Sequence, residues 1–216
     1  MRKNFESSFI EEDIEAKEAR LALVVGIKSP GMTVKEDSDG EPSELLVDME
    51  IPYPKKGTRD YSKAGRILLL EVSKARHPSG GLRRFKLPEN ATTLSNILNE
   101  ASGTTESMGV SPAESRTIRT IVNLIRTFKI DLESVADNAH MLPMGLDYDQ
   151  LLVEKETSEI KLLPPVVLED VGKSERDKRI RELGRMFLNS LMEGATNPSQ
   201  RELSEVLKPE IKEIFH

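Results

Sequence analysis

Asp147 and Asp149, two residues apart in Pro143-Met-Gly-Leu-Asp-Tyr-Asp-Gln150, are the side chains best placed to do chemistry. Alternate residues of an extended segment project to one side, so both carboxylates could hold a metal ion or move protons if the loop faces a cleft. The same pair also fits solvated turn residues, the usual setting of aspartate. Two other patterns start a known chemistry without completing it. Gly172-Lys173-Ser174 has the close of a phosphate-binding loop, but Val167 stands where its first glycine is needed, so it reads as a helix start. Asp37-Ser38-Asp39-Gly40-Glu41 carries oxygens suited to calcium yet lacks the spaced third ligand and the closing glutamate, which leaves an exposed loop. Cysteine is absent, which excludes disulfides, thiolate metal sites and a cysteine nucleophile. His77, His140 and His216 stand too far apart for a histidine zinc site. No metal and no cofactor is expected.

Cations gather later in the chain. Arg176, Lys178, Arg179, Arg181 and Arg185 crowd one segment, with Glu175, Asp177 and Glu182 interspersed. Near a helix start each cation opposes the macrodipole by about a few tenths of a kcal/mol, which the acids offset. The segment reads either as a solvated face or as a docking patch for an acidic protein partner. Arg116, Arg119 and Arg126 share the polar face of the preceding helix in the same way. Nucleic acid is disfavoured as a partner by the net charge of -6 and the 4% aromatic content, which leaves little for base stacking.

The elements that must position these groups follow from periodicity. The chain of 216 residues, 31% charged and 37% apolar, suits one core or two small lobes sharing a cleft. Arg2, Lys3 and the acids after them lack the apolar stretch of a signal peptide, and no segment approaches ~20 apolar residues. A cytoplasmic protein without membrane insertion is the expectation. Residues 1–20, with Ser7 and Ser8 as caps, predict a short surface helix. Leu21–Ile27 and Leu45–Ile51 predict strands, and Lys35–Pro42 an exposed loop between them. The apolar block Ile67, Leu68, Leu70 and Val72 predicts a helix over 62–76, ending before His77-Pro78-Ser79-Gly80-Gly81. Leu82–Leu87 predicts another strand.

From Thr92 on the helical period dominates: a short helix around Leu94, Ile97 and Leu98, a linker to Pro112, then a helix over 113–130 with Ile118, Ile121, Val122, Ile125 and Phe128 on one face. Residues 150–154 and 159–163 predict a hairpin closed by Pro164-Pro165. Ser174 with Asp177 predicts a capped helix whose buried stripe is Ile180, Leu183, Phe187, Leu188 and Leu191, and Asn197-Pro198 opens a last helix that Pro209 kinks or restarts. The sum is an α+β plan of two lobes: an extension over 1–20, a small strand-rich lobe over 21–88 with one helix, and a helical lobe over 89–216 with one hairpin.

Four stretches then look alike, in the right order, to one family. Glu71 followed by His77-Pro78, Leu87-Pro88 through Ala101, Gly145–Val153 with Ile160–Leu163, and Glu182-Leu-Gly-Arg-Met-Phe-Leu188 together span most of residues 62–194. They resemble, respectively, the small-lobe helix, the hinge with the first large-lobe helix, the catalytic loop with its hairpin, and the central large-lobe helix of protein kinases. The resemblance implies a two-lobed kinase-like fold in which Glu71 pairs with an ATP-binding lysine. It also implies a loss of activity. Gly145 falls at the catalytic aspartate, Gln150 at the metal-binding asparagine and Pro164-Pro165-Val166 where Asp-Phe-Gly is expected, so magnesium and the acceptor hydroxyl lose their acids. Val47-Asp48-Met49-Glu50 puts an acid where the family has its lysine, while Lys55 and Lys56 look solvated; Gly26 and Gly31 make a poor phosphate cradle.

The leading expectation is therefore a catalytically inactive kinase-like domain (a pseudokinase) acting as a protein-binding scaffold or allosteric regulator. A second class keeps the fold and recruits Glu71, Asp147 and Asp149 to nucleotide and metal in an atypical ATP-dependent phosphotransferase. A third abandons the kinship for a self-associating structural or assembly protein, joined through the Met- and Leu-bearing C-terminal helices.

Overall fold

The computed structural model describes the backbone of residues 3–73, 81–108 and 116–216 and the side chains of 14–73, 81–103 and 116–216. Ser7 and Ser8, expected as caps, lie inside a helix already formed at Lys3, and the linker expected before Pro112 is helical as far as Met108, whereas the His77-Pro78 pair and residues 109–112 lie outside those described.

Helix α1 runs from Lys3 to Val25. It absorbs the segment that the sequence predicts as a first strand. Leu21 and Val25, one helical turn apart, are buried, while Leu23 and Val24 are 61% and 57% exposed, an i, i+4 pattern that an apolar run hides. Gly26 ends the helix at a φ of 85°, with its N–H donating to Ala22 O at 2.8 Å.

A sheet of order β1-β2-β4-β3 follows, all antiparallel: β1 Met32–Glu36, β2 Pro42–Asp48, β3 Glu71–Val72 and β4 Leu82–Lys86. The loop expected over 35–42 is in part β1, and only its tip remains a turn. There Asp37 Oδ1 accepts from the N–H groups of Asp39 (2.9 Å) and Glu41 (3.1 Å), so this acid serves the hairpin. Leu45 and Val47 point into the core at 0% exposure and Met49 is 49% exposed, just beyond the end of β2. Helix α1 packs against β1, where Lys17 pairs with Glu36 and Lys35 with Glu18.

The helix expected over 62–76 is not there. A short α2, Arg59–Ala64, is followed by a turn over 65–68 and then by Leu69 and Leu70, which lead into β3; Leu68, Leu69 and Leu70 are all fully buried. Two tyrosines clamp this run. Leu70 N–H donates to the Tyr53 hydroxyl at 2.6 Å, while the Tyr61 hydroxyl donates to Leu70 O at 2.9 Å and accepts from Val72 N–H at 3.0 Å. Tyr53 also meets Phe85 edge-on at 4.7 Å. Burial pushes the Tyr53 phenol far above its ordinary range, so it stays a neutral hydrogen-bonding strut.

The second part is helical. Helix α3 spans Leu94–Met108, α4 Arg116–Ala139, α5 Arg176–Gly194 and α6 Pro198–Ile214, the last continuous through Pro209. The stripes predicted for α4 and α5 are the buried ones. The predicted Ser174–Asp177 cap is displaced: α5 begins after Glu175, with no side-chain cap bond. Asn197, in contrast, does cap α6, accepting from Gln200 N–H at 2.8 Å. The expected hairpin is present as β7 Leu151–Glu154 and β8 Ile160–Leu162, joined by β5 Ala91–Thr93 into a three-stranded sheet. A further pair, β6 Met141–Pro143 with β9 Leu168–Asp170, brackets it.

The architecture is thus mixed α/β, strand-rich first and helical later, a plan compatible with a two-lobed kinase-like fold. The hairpin joins the two parts. Leu69 and Leu162 form a parallel bridge, Leu162 N–H donates to Leu68 O at 2.7 Å, and Lys161 Nζ donates to the carbonyls of Arg66 (3.1 Å) and Ile67 (3.0 Å). The buried side chains form one contiguous core through both parts.

Candidate functional site

Two cavities flank this junction, and they divide the candidate residues. The larger, about 900 Å³, lies between α2, β3, the Lys86–Glu89 connection and the far end of the hairpin. Glu71 lines it, on a strand and not on a helix, with Lys86 as its cross-strand neighbour. Lys56 and Lys161 line the same space, but Lys56 Nζ donates to Val72 O at 2.9 Å and Lys161 Nζ to the carbonyls of Arg66 and Ile67. These amines brace backbone. The volume is in the range of small-molecule sites, and its wall carries both acids, Glu71, Glu89 and Glu154, and bases, Arg66 and Lys86 among them.

Asp147 and Asp149 line the second cavity, about 330 Å³, with Gly26–Ser29 after α1, Asn96 and Asn99 of α3, and Pro164-Pro165 after β8. Its α1 side is built tightly. Asn96 Nδ2 donates to Val24 O at 3.2 Å, and the buried Thr92 hydroxyl donates to Val25 O at 3.4 Å, so the free carbonyls at the end of α1 are partnered by β5 and α3. A Cβ on Gly26 would lie 2.3 Å from Thr93 Oγ1, and only glycine fits there.

The acidic side is a 3-10 turn, Tyr148–Gln150, leading into β7. Gln150 organises it. Its Oε1 accepts from Asp147 N–H at 3.1 Å, its Nε2 donates to Pro165 O at 3.0 Å, and its carbonyl accepts from Leu163 N–H at 2.7 Å. Tyr148 N–H donates to Ser190 Oγ at 2.9 Å, which docks the turn on α5. Partial desolvation pushes the Asp149 carboxyl up, and the Asp147 charge pushes it the same way. Glu71 therefore lines one cavity and the aspartates another. Among the described residues no three acids or histidines stand together in a way that could hold a metal ion.

The cationic segment is divided as well. Arg176 pairs with Asp137 at 2.8 Å and Asp177 at 2.9 Å. Arg179 pairs with Glu169 at 2.6 Å and Glu182 at 3.1 Å, and donates to the carbonyls of Pro143 and Met144. Both fasten the start of α5 to its neighbours. Lys178, Arg181 and Arg185 make no ion pair or hydrogen bond among the described residues. Arg181 and Arg185 instead line a third cavity, about 240 Å³, with Lys212 and His216. Lys212 and His216 were beyond sequence reasoning, because only the packing of α6 on α5 brings them to Arg181 and Arg185.

Fold and site define an α+β protein in which Gln150 and the Tyr148 N–H hold the turn that leads into the hairpin. No family model and no curated protein matches the chain. Among solved structures it is similar to the crystal structure of choline kinase LicA from Streptococcus pneumoniae, at 10% identity and a TM-score of 0.33, over 93% of this chain and 78% of that one. No helix among the described residues is long and apolar enough to cross a membrane.

Proposed function

We propose that the chain is a catalytically inactive kinase-like domain, a pseudokinase with lobes over 21–88 and 89–216, that acts inside the cell as a protein-binding scaffold or allosteric regulator. The carrying observation is the use of Gln150. At the position the kinase resemblance assigns to a metal ligand, its carboxamide is bound at both ends by Asp147 N–H and Pro165 O. Pro164 and Pro165, where the resemblance expects a magnesium-binding acid, have no side-chain oxygen to offer. The phosphotransferase alternative needs Glu71 beside Asp147 and Asp149, and those residues line different cavities.

Thermal unfolding with and without Mg-ATP tests the reading. A ligand at one hundred times its dissociation constant stabilises by about 2.7 kcal/mol. The expected result is an unchanged midpoint at millimolar Mg-ATP. A saturable, magnesium-dependent rise would overturn the proposal.

A further inference from the structure

The third cavity lies where the middle of α5 meets the end of α6. Its floor is apolar: Leu188, Ile211 and Phe215, at 9%, 1% and 5% exposure. Gly184 makes that floor possible, because a Cβ there would lie 2.3 Å from Phe215 Cγ. Above the floor stand Arg181 and Arg185, one helical turn apart on α5, and Lys212 on α6. None of these three has an ion pair or hydrogen bond among the described residues, whereas Arg176 and Arg179 on the same helix have two ion pairs each. Among the described residues lining the groove, none carries a carboxylate side chain.

Three unpartnered cations around an apolar floor, in a chain of net charge -6, are a local reversal of sign. Such a reversal selects an anion and repels the rest of a cationic surface. At about 240 Å³ the groove is smaller than the roughly 300–1,000 Å³ of small-molecule pockets and has room for a side chain or two. Arginines spaced i, i+4 sit about 5–6 Å apart at Cβ, which matches acids at the same spacing on a partner helix.

We infer that the groove of Arg181, Arg185 and Lys212 docks an acidic peptide segment of a partner protein, with carboxylates on the three cations and an apolar side chain over Ile211 and Phe215. The inference rests on the binding role proposed above and assigns the face that performs it. Arg176 and Arg179 belong to the fold and take no part in docking.

The probe is a fluorescein-labelled synthetic helix with glutamates at i and i+4 flanked by leucines, titrated by anisotropy against the full chain. Wild type is expected to bind, the glutamine version of the peptide not to bind, and the triple variant R181E/R185E/K212E to bind at least tenfold more weakly. R116E/R119E/R126E changes the net charge equally on α4 and is expected to stay within twofold. Because charge reversal could disturb folding, amide exchange on the wild-type chain supplies a variant-free readout: peptide should slow exchange along 181–188 and 208–215. Equal weakening by both triple variants, unchanged binding by the groove variant, no peptide-induced protection there, or binding of inorganic phosphate or phosphatidylserine vesicles in place of the peptide would overturn the inference. Mg-ATP melts on the same samples separate the two claims. Stabilisation by Mg-ATP with peptide binding intact removes the inactive reading and leaves the groove; loss of peptide binding with no response to Mg-ATP does the reverse.

Discussion

The Asp147–Gln150 turn and the α5–α6 groove are both polar, and they differ in what their polar groups are attached to. At the turn, Gln150 bridges Asp147 to Pro165 and Tyr148 is tied to Ser190. At the groove, Arg181, Arg185 and Lys212 line one cavity with an apolar floor and make no ion pair among the described residues. Groups already bonded inside the chain lower its energy and are poor hands for a ligand; groups left unpaired keep their interaction free energy for binding. Residue type alone, acids at one place and cations at the other, would have ranked the two sites the other way.

The contrast is sharpest within α5 itself. Arg179→Ala removes two ion pairs and two carbonyl bonds from a mostly buried guanidinium, and the expected loss is about 2–3 kcal/mol. Arg185→Ala, exposed and unpaired, is expected to stay within about 0.5 kcal/mol. Urea denaturation of both variants checks the pair, and equal losses would erase the distinction between fastening and free arginines. Gly184→Leu forces a side chain into the Phe215 ring. Overpacking of this kind costs about 1–3 kcal/mol, against a gain of up to about 1 kcal/mol from removing a helical glycine, so a net loss of melting temperature is expected together with weaker peptide binding. A rise in melting temperature would mean that α5 and α6 are free to separate.

Smaller effects probe the turn. Gln150→Ala leaves Asp147 N–H and Pro165 O without their partner, and a loss of about 1 kcal/mol is expected because water reaches the turn and replaces part of the bonding. Amide exchange at Asp147 should speed up with it; an unchanged rate would show that the carboxamide is not what holds the turn. Asp149→Asn tests the electrostatics. The folded-state pKa is raised above the ordinary value, so the folded chain binds more protons than the unfolded one between those two values. Stability accordingly falls as pH rises through that interval and stays lowered above it. The asparagine variant should be slightly more stable than wild type at pH 7, within about 0.5 kcal/mol because the residue is open to water, with the advantage gone below about pH 4. Melts at both pH values read the sign.

The long periodic elements were legible in the sequence. Helices α4, α5 and α6 each bury a stripe recurring at three and four residues, and β7–β8 is bounded by polar turn residues on one side and two prolines on the other. The failures share a cause. Leu21–Val25 and Ile67–Val72 are short runs apolar on nearly every side, and such runs carry no period from which helix or strand can be told. The first is a helix because α1 reaches it from upstream. The second turns and then extends, and the Tyr53 and Tyr61 hydroxyls, seventeen and nine residues before Leu70, take the backbone groups of Leu70 and Val72. Strands β5, β6 and β9 have three residues each and exist only through partners about sixty or thirty positions away.

By itself the sequence determined the mixed α/β class, the helical second half and the absence of cysteine chemistry, because periodicity and composition are local properties that survive in any arrangement of the elements. Whether Glu71 stands beside Asp147, which arginines of α5 are engaged, and that Lys212 joins Arg181 and Arg185 were set by the folded chain alone. A side chain's availability depends on which neighbours reach it in space, and those neighbours come from elements that packing, not spacing, brings together.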